Sequence, residues 1–178
     1  MTYPLRLQGG TVTLRDFDRQ DVDAVLAIVG DDRVTRWLSF DSRDRDGAER
    51  MLTAAINAAQ AAPRTEFYLA VTVAEGLVGF VRLALGGVKA AKLGYAVHAD
   101  RQGHGYATDA ARTLIRYGFD HLGLHRITAA VGPDNEASVA VLKRLGFAPE
   151  GRLRDHVFTN GVWRDSLLFS LLGDELAG

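Results

Sequence analysis

Apolar residues recur every three or four positions in two early segments of the chain, which is the spacing of helices with one buried side. The first segment covers residues 18–30 and the second covers residues 44–60. Gly30 ends the first pattern, and Pro63 follows the second at a point where a helix cannot continue. Residues 33–38 between the two segments predict a short helix or a turn.

In the middle of the chain the pattern changes to an alternation of apolar and other residues, which is the period of β-strands. Residues 67–73, 77–85 and 93–97 follow this period, and a turn at Glu75-Gly76 joins the first two. Residues 12–14 predict an earlier strand. Such segments are typical of an antiparallel sheet with one buried face.

A loop with two glycines follows the alternating segments and leads into a further helix. The loop covers residues 100–105, and small or apolar residues then recur at helical spacing over residues 107–118. Because the side chains at the start of this helix are small, it can approach the sheet closely there. Residues 126–131 predict another strand after it.

The last part of the chain predicts a helix and a hairpin. The helix covers residues 135–145, and Gly146 ends it. Asn160-Gly161 predicts a tight turn between strands at residues 152–159 and 162–171, because both residues of such a turn take positive φ. The complete order of elements predicts an α+β fold in which helices cover a sheet.

Composition and charge limit the classes of protein that this chain can represent. The chain has 178 residues, and we expect residues 1–178 to form a single domain. It has no cysteine, which excludes disulfides, thiolate zinc sites and a cysteine nucleophile. The net charge is −1 without a basic block, so no nucleic-acid partner is expected. The sequence shows neither a signal peptide nor a membrane-spanning run, so we expect a cytoplasmic protein that does not bind membranes.

Histidines offer no metal site in this sequence. His121 and His125 are four residues apart, but Gly123 and Leu124 between them favour a helix end. No carboxylate neighbour completes a set of ligands, so we expect no metal.

The most informative local sequence precedes the helix at residues 107–118. It reads Gln102, Gly103, His104, Gly105, Tyr106, Ala107. Glycines at a helix start expose backbone N–H groups where the helix dipole is positive, and this arrangement suits a phosphate or pyrophosphate. Lys-Ser or Lys-Thr does not follow, which excludes the nucleotide-triphosphate loop, and Thr108 breaks the dinucleotide pattern. A glycine-rich helix start without chemical importance is the alternative.

Further motifs occur in a fixed order along the chain: Thr13-Leu14-Arg15, Val78-Gly79-Phe80, Leu93-Gly94-Tyr95-Ala96-Val97, Asn135-Glu136-Ala137-Ser138, Leu145-Gly146-Phe147, Glu150-Gly151 and Asp165. Together with the loop, in which Gln102, Gly105 and Ala107 fit the form Q/R-x-x-G-x-G/A, they make the chain resemble the GCN5-related N-acetyltransferases (GNAT). It most resembles the RimJ/RimL branch, whose members acylate protein N-termini or small amines. The resemblance covers nearly the whole chain and implies a GNAT-like fold with a central mixed, mostly antiparallel sheet flanked by helices.

The resemblance implies that acetyl-CoA is the co-substrate. Its pyrophosphate would accept hydrogen bonds from the backbone N–H groups of residues 102–107. Its thioester oxygen would accept one from a backbone N–H near Val97 or His98, where two strands part. Such a donor stabilises the oxyanion that develops in acyl transfer.

Asn135 and Ser138 lie one helical turn apart, and the resemblance implies a role for each. Asn135 would hydrogen-bond in the cofactor groove, and Ser138 would protonate or stabilise the departing thiolate. From the residues alone, an Asn135 N-cap with Ser138 in the first turn is the favoured interpretation. Tyr95 and Tyr106 are alternative acids, although both also fit a packing role.

A base for the acceptor amine is not obvious in this sequence. Relatives often carry a glutamate just before the Gly-Tyr of the strand, and this chain has Lys92 there. Glu66, Asp155 and His98 are other titratable residues, for which surface or structural roles are the simpler interpretation. A protein α-amine has a pKa of about 7.7–8.0, against about 10.4 for a lysine amine, so a weak base or water suffices for an α-amine.

These observations predict an acyl-CoA-dependent N-acyltransferase whose partner is a primary amine, foremost a peptide N-terminus. An enzyme for an antibiotic or an amino sugar and a catalytically weak CoA-binding sensor are the alternatives. Candidates for acceptor binding are residues 33–40 with Trp37 and Phe40, the hairpin near Asn160, and Asp165. Relatives are often dimers, so a homodimer is open, but no sequence feature identifies an interface.

Overall fold

Residues 3–176 are described by the computed structural model, and within them the chain forms eight strands and five α-helices. The strands are β1 (Arg6–Gln8), β2 (Thr13–Asp16), β3 (Glu66–Val73), β4 (Gly76–Leu85), β5 (Ala90–Val97), β6 (Arg126–Val131), β7 (Ala148–Thr159) and β8 (Val162–Leu172). The helices are α1 (Val22–Val29), α2 (Asp32–Thr35), α3 (Arg45–Gln60), α4 (Tyr106–Asp120) and α5 (Glu136–Arg144). Across the described part of the chain, no helix combines the length and the apolar character needed to cross a bilayer.

All eight strands belong to one sheet in the order β1-β2-β3-β4-β5-β6-β8-β7. Neighbouring strands are antiparallel except β5 and β6, which run parallel. A parallel pair needs a crossover connection, and α4 supplies it. The prediction of an α+β fold with a mixed, mostly antiparallel sheet flanked by helices is confirmed.

The larger core lies between the sheet and α4 with α5. Leu114 and Ile115 of α4 and Leu142 of α5 are fully buried there. They belong to the same cluster as Leu83 of β4 and Ile127 of β6. Because this core spans the central strands, it fixes the start of α4 over the end of β5.

A second core covers the opposite face, where α1 and α3 pack on the middle of the sheet. Ala70, Phe80 and Ala96 lie side by side on β3, β4 and β5 and are buried with Ile28 and Leu52. The expectation of one buried face was therefore wrong for these strands. Three adjacent apolar residues at the alternate positions form a second apolar patch, which α1 and α3 cover.

β1 is a strand that the sequence pattern did not predict. It pairs with β2, and Leu5 and Leu7 pack into the larger core. The Gly9 N–H donates to the Val12 carbonyl oxygen (2.8 Å) and closes the turn between the two strands. With only three residues, β1 is too short for alternation to distinguish it from a loop.

Several predicted boundaries hold closely. β6 has the predicted bounds, and the turn at Asn160 and Gly161 has φ of 51° and 75° as expected. α1 begins later than predicted, because Arg19–Asp21 forms a 3₁₀ turn capped by the Asp18 carboxylate. α5 begins one residue late, because Asn135 is its N-cap.

Asp109, in the first turn of α4, holds the turn between β1 and β2. Its carboxylate accepts from the backbone N–H groups of Gly10 (3.1 Å), Thr11 (2.6 Å) and Val12 (3.0 Å) and from the Thr11 hydroxyl (3.0 Å). Burial raises the pKa of this carboxyl, but the four hydrogen bonds outweigh burial, so the pKa lies below its usual 3.8.

We expect Asp109→Asn to lower the free energy of unfolding by about 1–3 kcal/mol, because an amide leaves part of this donor set without an acceptor. A lowered folded-state pKa gives stability that is fully present above the unfolded-state pKa and is lost as the pH falls through the folded-state pKa. The difference in the free energy of unfolding between wild type and Asp109→Asn should therefore be constant above about pH 5 and shrink below about pH 4. Urea unfolding across this range measures it, and a pH-independent difference would contradict the role of the charge.

Candidate active site

A gap between β5 and β6 opens near the centre of the sheet. The two strands pair only as far as Leu93 and Ala129. Beyond these residues, β5 continues beside β4 up to Val97, and β6 continues beside β8 up to Val131. Because each strand stays with its outer neighbour while the inner pairing stops, a wedge widens toward the carboxyl ends of both strands.

Two residues of β5 direct their backbone amides into this gap. Along an antiparallel pair, successive residues alternate between bonding to the partner strand and facing away from it. The His98 N–H donates to the Val78 carbonyl oxygen (2.8 Å), which fixes this alternation between β4 and β5. Tyr95 and Val97 are therefore the residues whose N–H and C=O groups face the gap.

This alternation separates the two residues that were expected to offer a backbone donor. The N–H of Val97 faces the gap, whereas the N–H of His98 is bonded within the sheet and is not free for a ligand. The His98 ring accepts from the Asp100 N–H (3.2 Å), so it caps the turn after β5. The sequence did not predict the Tyr95 N–H as a second donor, because no local pattern shows which residues of a strand lack a neighbouring strand.

The glycine loop lies between this gap and α4. Gly103 has φ of 80° and Gly105 has φ of 78°, a left-handed conformation that favours glycine. Gly105 is the N-cap of α4 and has no side chain to bond the first free N–H groups of the helix. A Cβ on either glycine would meet open space within 4 Å, so a ligand can approach the backbone there.

Side chains of the loop stabilise the loop itself. The Gln102 side chain donates from Nε2 to the Val97 carbonyl oxygen (3.3 Å). His104 Nδ1 lies 2.9 Å from the Gln102 carbonyl oxygen, and its ring stacks on Tyr106 with centroids 5.4 Å apart. These contacts hold the His104 ring against the loop.

The residues at the start of α4 fit the pyrophosphate of acetyl-CoA. They combine free N–H donors, the positive end of a 15-residue helix and two glycines that leave the approach open. The N–H groups of Tyr95 and Val97 and the Tyr95 carbonyl oxygen continue this edge into the gap, whereas the Val97 carbonyl oxygen accepts from Gln102 Nε2. An extended amide-containing arm could pair with that edge as a strand does.

Tyr95, Asn135 and Ser138 come together beside the gap. The Tyr95 hydroxyl donates to the Ser138 carbonyl oxygen (3.4 Å), and the Ser138 N–H donates to Asn135 Oδ1 (3.2 Å). Burial raises the pKa of the Tyr95 phenol to about 12, although this hydrogen bond lowers it. Asn135 therefore caps α5, and its amide nitrogen and the Ser138 hydroxyl are left for other partners.

Glu66, one of the carboxylates considered as a base, and Asp165, a candidate for acceptor binding, are both engaged in ion pairs. Glu66 accepts from Arg82 through both oxygens (2.7 Å each). Asp165 accepts from the Asp155 N–H (2.9 Å) and from Arg152 (2.7 Å), and these contacts hold its pKa below the usual value. The two contacts of Asp165 stabilise the β7–β8 hairpin.

Lys92 is exposed on β5 between Ala84 of β4 and Thr128 of β6. Neither cross-strand neighbour carries a carboxylate. The position at which relatives often carry a glutamate therefore offers an ammonium group next to the closed end of the gap.

Residues 36–41 form one wall beyond the open end of the gap. The Trp37 ring lies against Gly132. A Cβ added to Gly132 would be 3.9 Å from Trp37 Cε3. Arg164 of β8 donates to the carbonyl oxygens of Arg36 and Leu38, and Asp41 accepts from the Asn160 N–H (2.7 Å). Two predicted acceptor regions, the segment with Trp37 and the hairpin near Asn160, are therefore joined.

Comparisons with known proteins agree with this geometry. Residues 11–148 match the family model described as Acetyltransferase (GNAT) domain. The chain is 31% identical over 170 residues to "Uncharacterized N-acetyltransferase p20" of Bacillus licheniformis, covering 94% of this chain and 96% of that protein. It is 36% identical over 96 residues to "[Ribosomal protein uS5]-alanine N-acetyltransferase" of Escherichia coli, covering 54% of this chain and 50% of that protein.

A solved structure shows the same similarity across the whole fold. "Mycobacterium smegmatis RimJ in complex with CoA-disulfide" superposes with a TM-score of 0.86 at 27% identity, covering 99% of this chain and 91% of that one. The family match extends over most of the sequence, and the similar proteins carry the same fold from end to end. The chain therefore belongs to the GNAT acetyltransferase family and is an acetyl-CoA-dependent N-acetyltransferase with RimJ/RimL-like relatives.

Proposed function

We propose that this enzyme transfers the acetyl group of acetyl-CoA to the N-terminal α-amine of a protein or peptide, with residues 1–178 acting as one catalytic domain. The observation that carries the proposal is the gap between β5 and β6, with free amides on its edge and the glycine loop at its end. The name of one relative, which acetylates an alanine of ribosomal protein uS5, supports an amine of a protein as acceptor. An α-amine also suits a site in which Lys92 replaces a carboxylate.

The backbone of this chain would hold the co-substrate. The N–H groups of residues 102–107 would bind the pyrophosphate, and each charge-assisted bond contributes about 1.5–3 kcal/mol. The N–H groups of Tyr95 and Val97 would bind the arm and polarise the thioester carbonyl. A donor placed at a developing oxyanion contributes up to about 3–4 kcal/mol.

Ser138 is the proposed acid for the departing thiolate, with Asn135 holding the start of α5 beside it. We expect Ser138→Ala to lower kcat about 100-fold, because proton transfer to the leaving group is lost. The backbone N–H of residue 138 still reaches Asn135 Oδ1, so the helix cap and the thermal stability should not change.

Steady-state kinetics and calorimetry with acetyl-CoA measure this expectation, and the Kd for acetyl-CoA should stay within about twofold of wild type, since the variant keeps every proposed CoA donor. An unchanged kcat would contradict the role of Ser138. Tyr95→Phe is the matched variant for the alternative acid, since it removes only the neighbouring hydroxyl.

A mass-detected acetylation panel tests the choice of acceptor. It contains a peptide with N-terminal alanine and an internal lysine, the same peptide with a blocked N-terminus, a polyamine and an amino sugar. We expect one acetyl group on the free α-amine and none on the blocked peptide. Acetylation of the lysine, the polyamine or the amino sugar instead, or binding of acetyl-CoA without turnover of any amine, would contradict the proposal.

A further inference from the structure

A hydrogen-bonded histidine and serine lie on the outer part of the sheet. His156 Nδ1 is 2.9 Å from Ser166 Oγ. Ser166 is only 4% exposed, whereas His156 is exposed and lines an open cavity of about 760 Å³. The buried hydroxyl orients one ring nitrogen and leaves Nε2 as the nitrogen that can meet a ligand or water.

Ser166 and the second core lie on the same face of the sheet. Leu167 of β8 and Tyr95 of β5 both pack into the larger core under α4 and α5. Side chains along a strand alternate between the two faces. The side chain of Ser166 is therefore on the opposite face, with that of Ala96 beside the gap.

The pair also lies near the open end of the gap. Val131 of β6 is opposite Leu167, so Gly132 follows next to Ser166. Trp37 packs against Gly132. The Trp37 ring and the His156–Ser166 pair therefore both adjoin Gly132, the residue that follows the carboxyl end of β6 beside the open end of the gap.

A bulge in β7 orients the His156 ring. The pairing with β8 shifts between Leu153 and Val157, so three residues of β7 stand opposite one residue of β8. Within the bulge, Asp155 has φ of 46°, and its N–H is held by Asp165 Oδ1 (2.9 Å). Bulges next to functional sites commonly turn a side chain toward the site.

We infer that His156 accepts the proton that the acceptor ammonium must lose before the amine attacks the thioester, directly or through one water. The N–H bond breaks, the proton moves to Nε2, and the amine keeps the electron pair that forms the amide bond. The exposed imidazolium then releases the proton to solvent. Imidazole is the side chain suited to this exchange near neutral pH. The inference rests on the proposed seating of the thioester in the gap.

Arg152, Arg154 and Asp155 of β7 and Asp165 of β8 line the cavity with His156. Further charged groups on the elements packed against this hairpin are Arg164 of β8 and Arg36 and Asp41 of residues 36–41. Asp165 is paired with Arg152, and Arg164 is bonded to backbone carbonyls. None of these seven residues is a histidine. A pH-dependent loss of activity on replacing His156 would therefore report the imidazole itself.

His156→Asn is the decisive variant. Its Nδ2 occupies the place of imidazole Nδ1 and can still donate to Ser166 Oγ, but an amide does not accept a proton. With the alanine-first peptide at pH 7, we expect kcat to fall about 100-fold, the lower end of general-base effects. The loss should shrink toward about pH 9, because the acceptor amine is then largely neutral by itself.

Two further measurements separate this role from a structural one. Ser166→Ala keeps the His156 imidazole, so kcat should fall tenfold or less, which corresponds to about 1.4 kcal/mol in activation free energy. The kcat of this variant should keep the pH dependence of wild type. His156→Gln should reproduce the loss of His156→Asn, which guards against a folding defect in one variant. The Kd of acetyl-CoA, measured by calorimetry, should be unchanged in all three.

An unchanged kcat in His156→Asn, or a loss of equal size at every pH, would overturn the role of His156. Such a result together with normal acetyl-CoA affinity contradicts this inference alone. If wild-type enzyme does not acetylate the α-amine of the peptide, the proposed function is contradicted and this inference falls with it.

Discussion

Gly105→Glu is expected to weaken acetyl-CoA binding by about 100-fold or more while the protein remains folded. The new carboxylate would extend from the helix N-cap into the space that the pyrophosphate needs, and it would repel the phosphates. Loss of two charge-assisted bonds of about 1.5–3 kcal/mol each gives at least this change, since about 1.4 kcal/mol is tenfold in Kd. Isothermal titration calorimetry measures it.

The matched control is Gly123→Glu. Gly123 also has positive φ (63°) and open space around its Cβ, but it follows the other end of α4. Both variants place a glutamate in the left-handed backbone conformation, which costs about 1–2 kcal/mol, so both should lose similar stability. Acetyl-CoA affinity should fall only in Gly105→Glu. Equal affinities in the two variants would contradict the placement of the pyrophosphate.

Asp16→Ala is expected to cause the largest loss of stability, about 3–5 kcal/mol. The side chains of Asp16 and Arg64 are only 3% and 5% exposed and are paired at 2.6 Å. Asp16 Oδ2 also accepts from the Leu5 N–H (2.7 Å), and the Arg64 guanidinium lies 4.5 Å from the Phe67 ring centre. Removal of the carboxylate leaves a buried guanidinium without its counter-charge. Chemical denaturation measures the loss.

The exposed pair of Glu66 and Arg82 provides the comparison for this prediction. Its side chains are 31% and 46% exposed, and such pairs contribute about 0–1 kcal/mol. Glu66→Ala should therefore change the free energy of unfolding little. Asp16→Ala with Arg64→Met should recover part of the loss, because the uncompensated charge is gone. A loss below about 1 kcal/mol in Asp16→Ala would contradict this account.

Local patterns predicted most of the fold because the physical signals were local. Alternation identified β3, β4 and β5, helical spacing identified α3 and α4, and Asn160-Gly161 identified the last hairpin. The glycine loop could be interpreted as an anion site because two residues with positive φ and a helix start lie within a few positions.

The site itself depends on contacts between distant segments, which the sequence does not display. β5 has the same alternation whether or not β6 pairs with its second half, so the free amides of Tyr95 and Val97 could not be located. His156 gave no signal, because its orientation depends on a bulge in β7 and on Ser166 of the next strand.

A crystal structure of the enzyme with coenzyme A tests the central claim most directly. The pyrophosphate oxygens should lie at hydrogen-bond distance from the backbone N–H groups at the start of α4. The arm of the carrier should run along β5, bonded to the amides of Tyr95 and Val97. A carrier bound outside the gap, or a loop and strand edge that make no contact with it, would contradict the account.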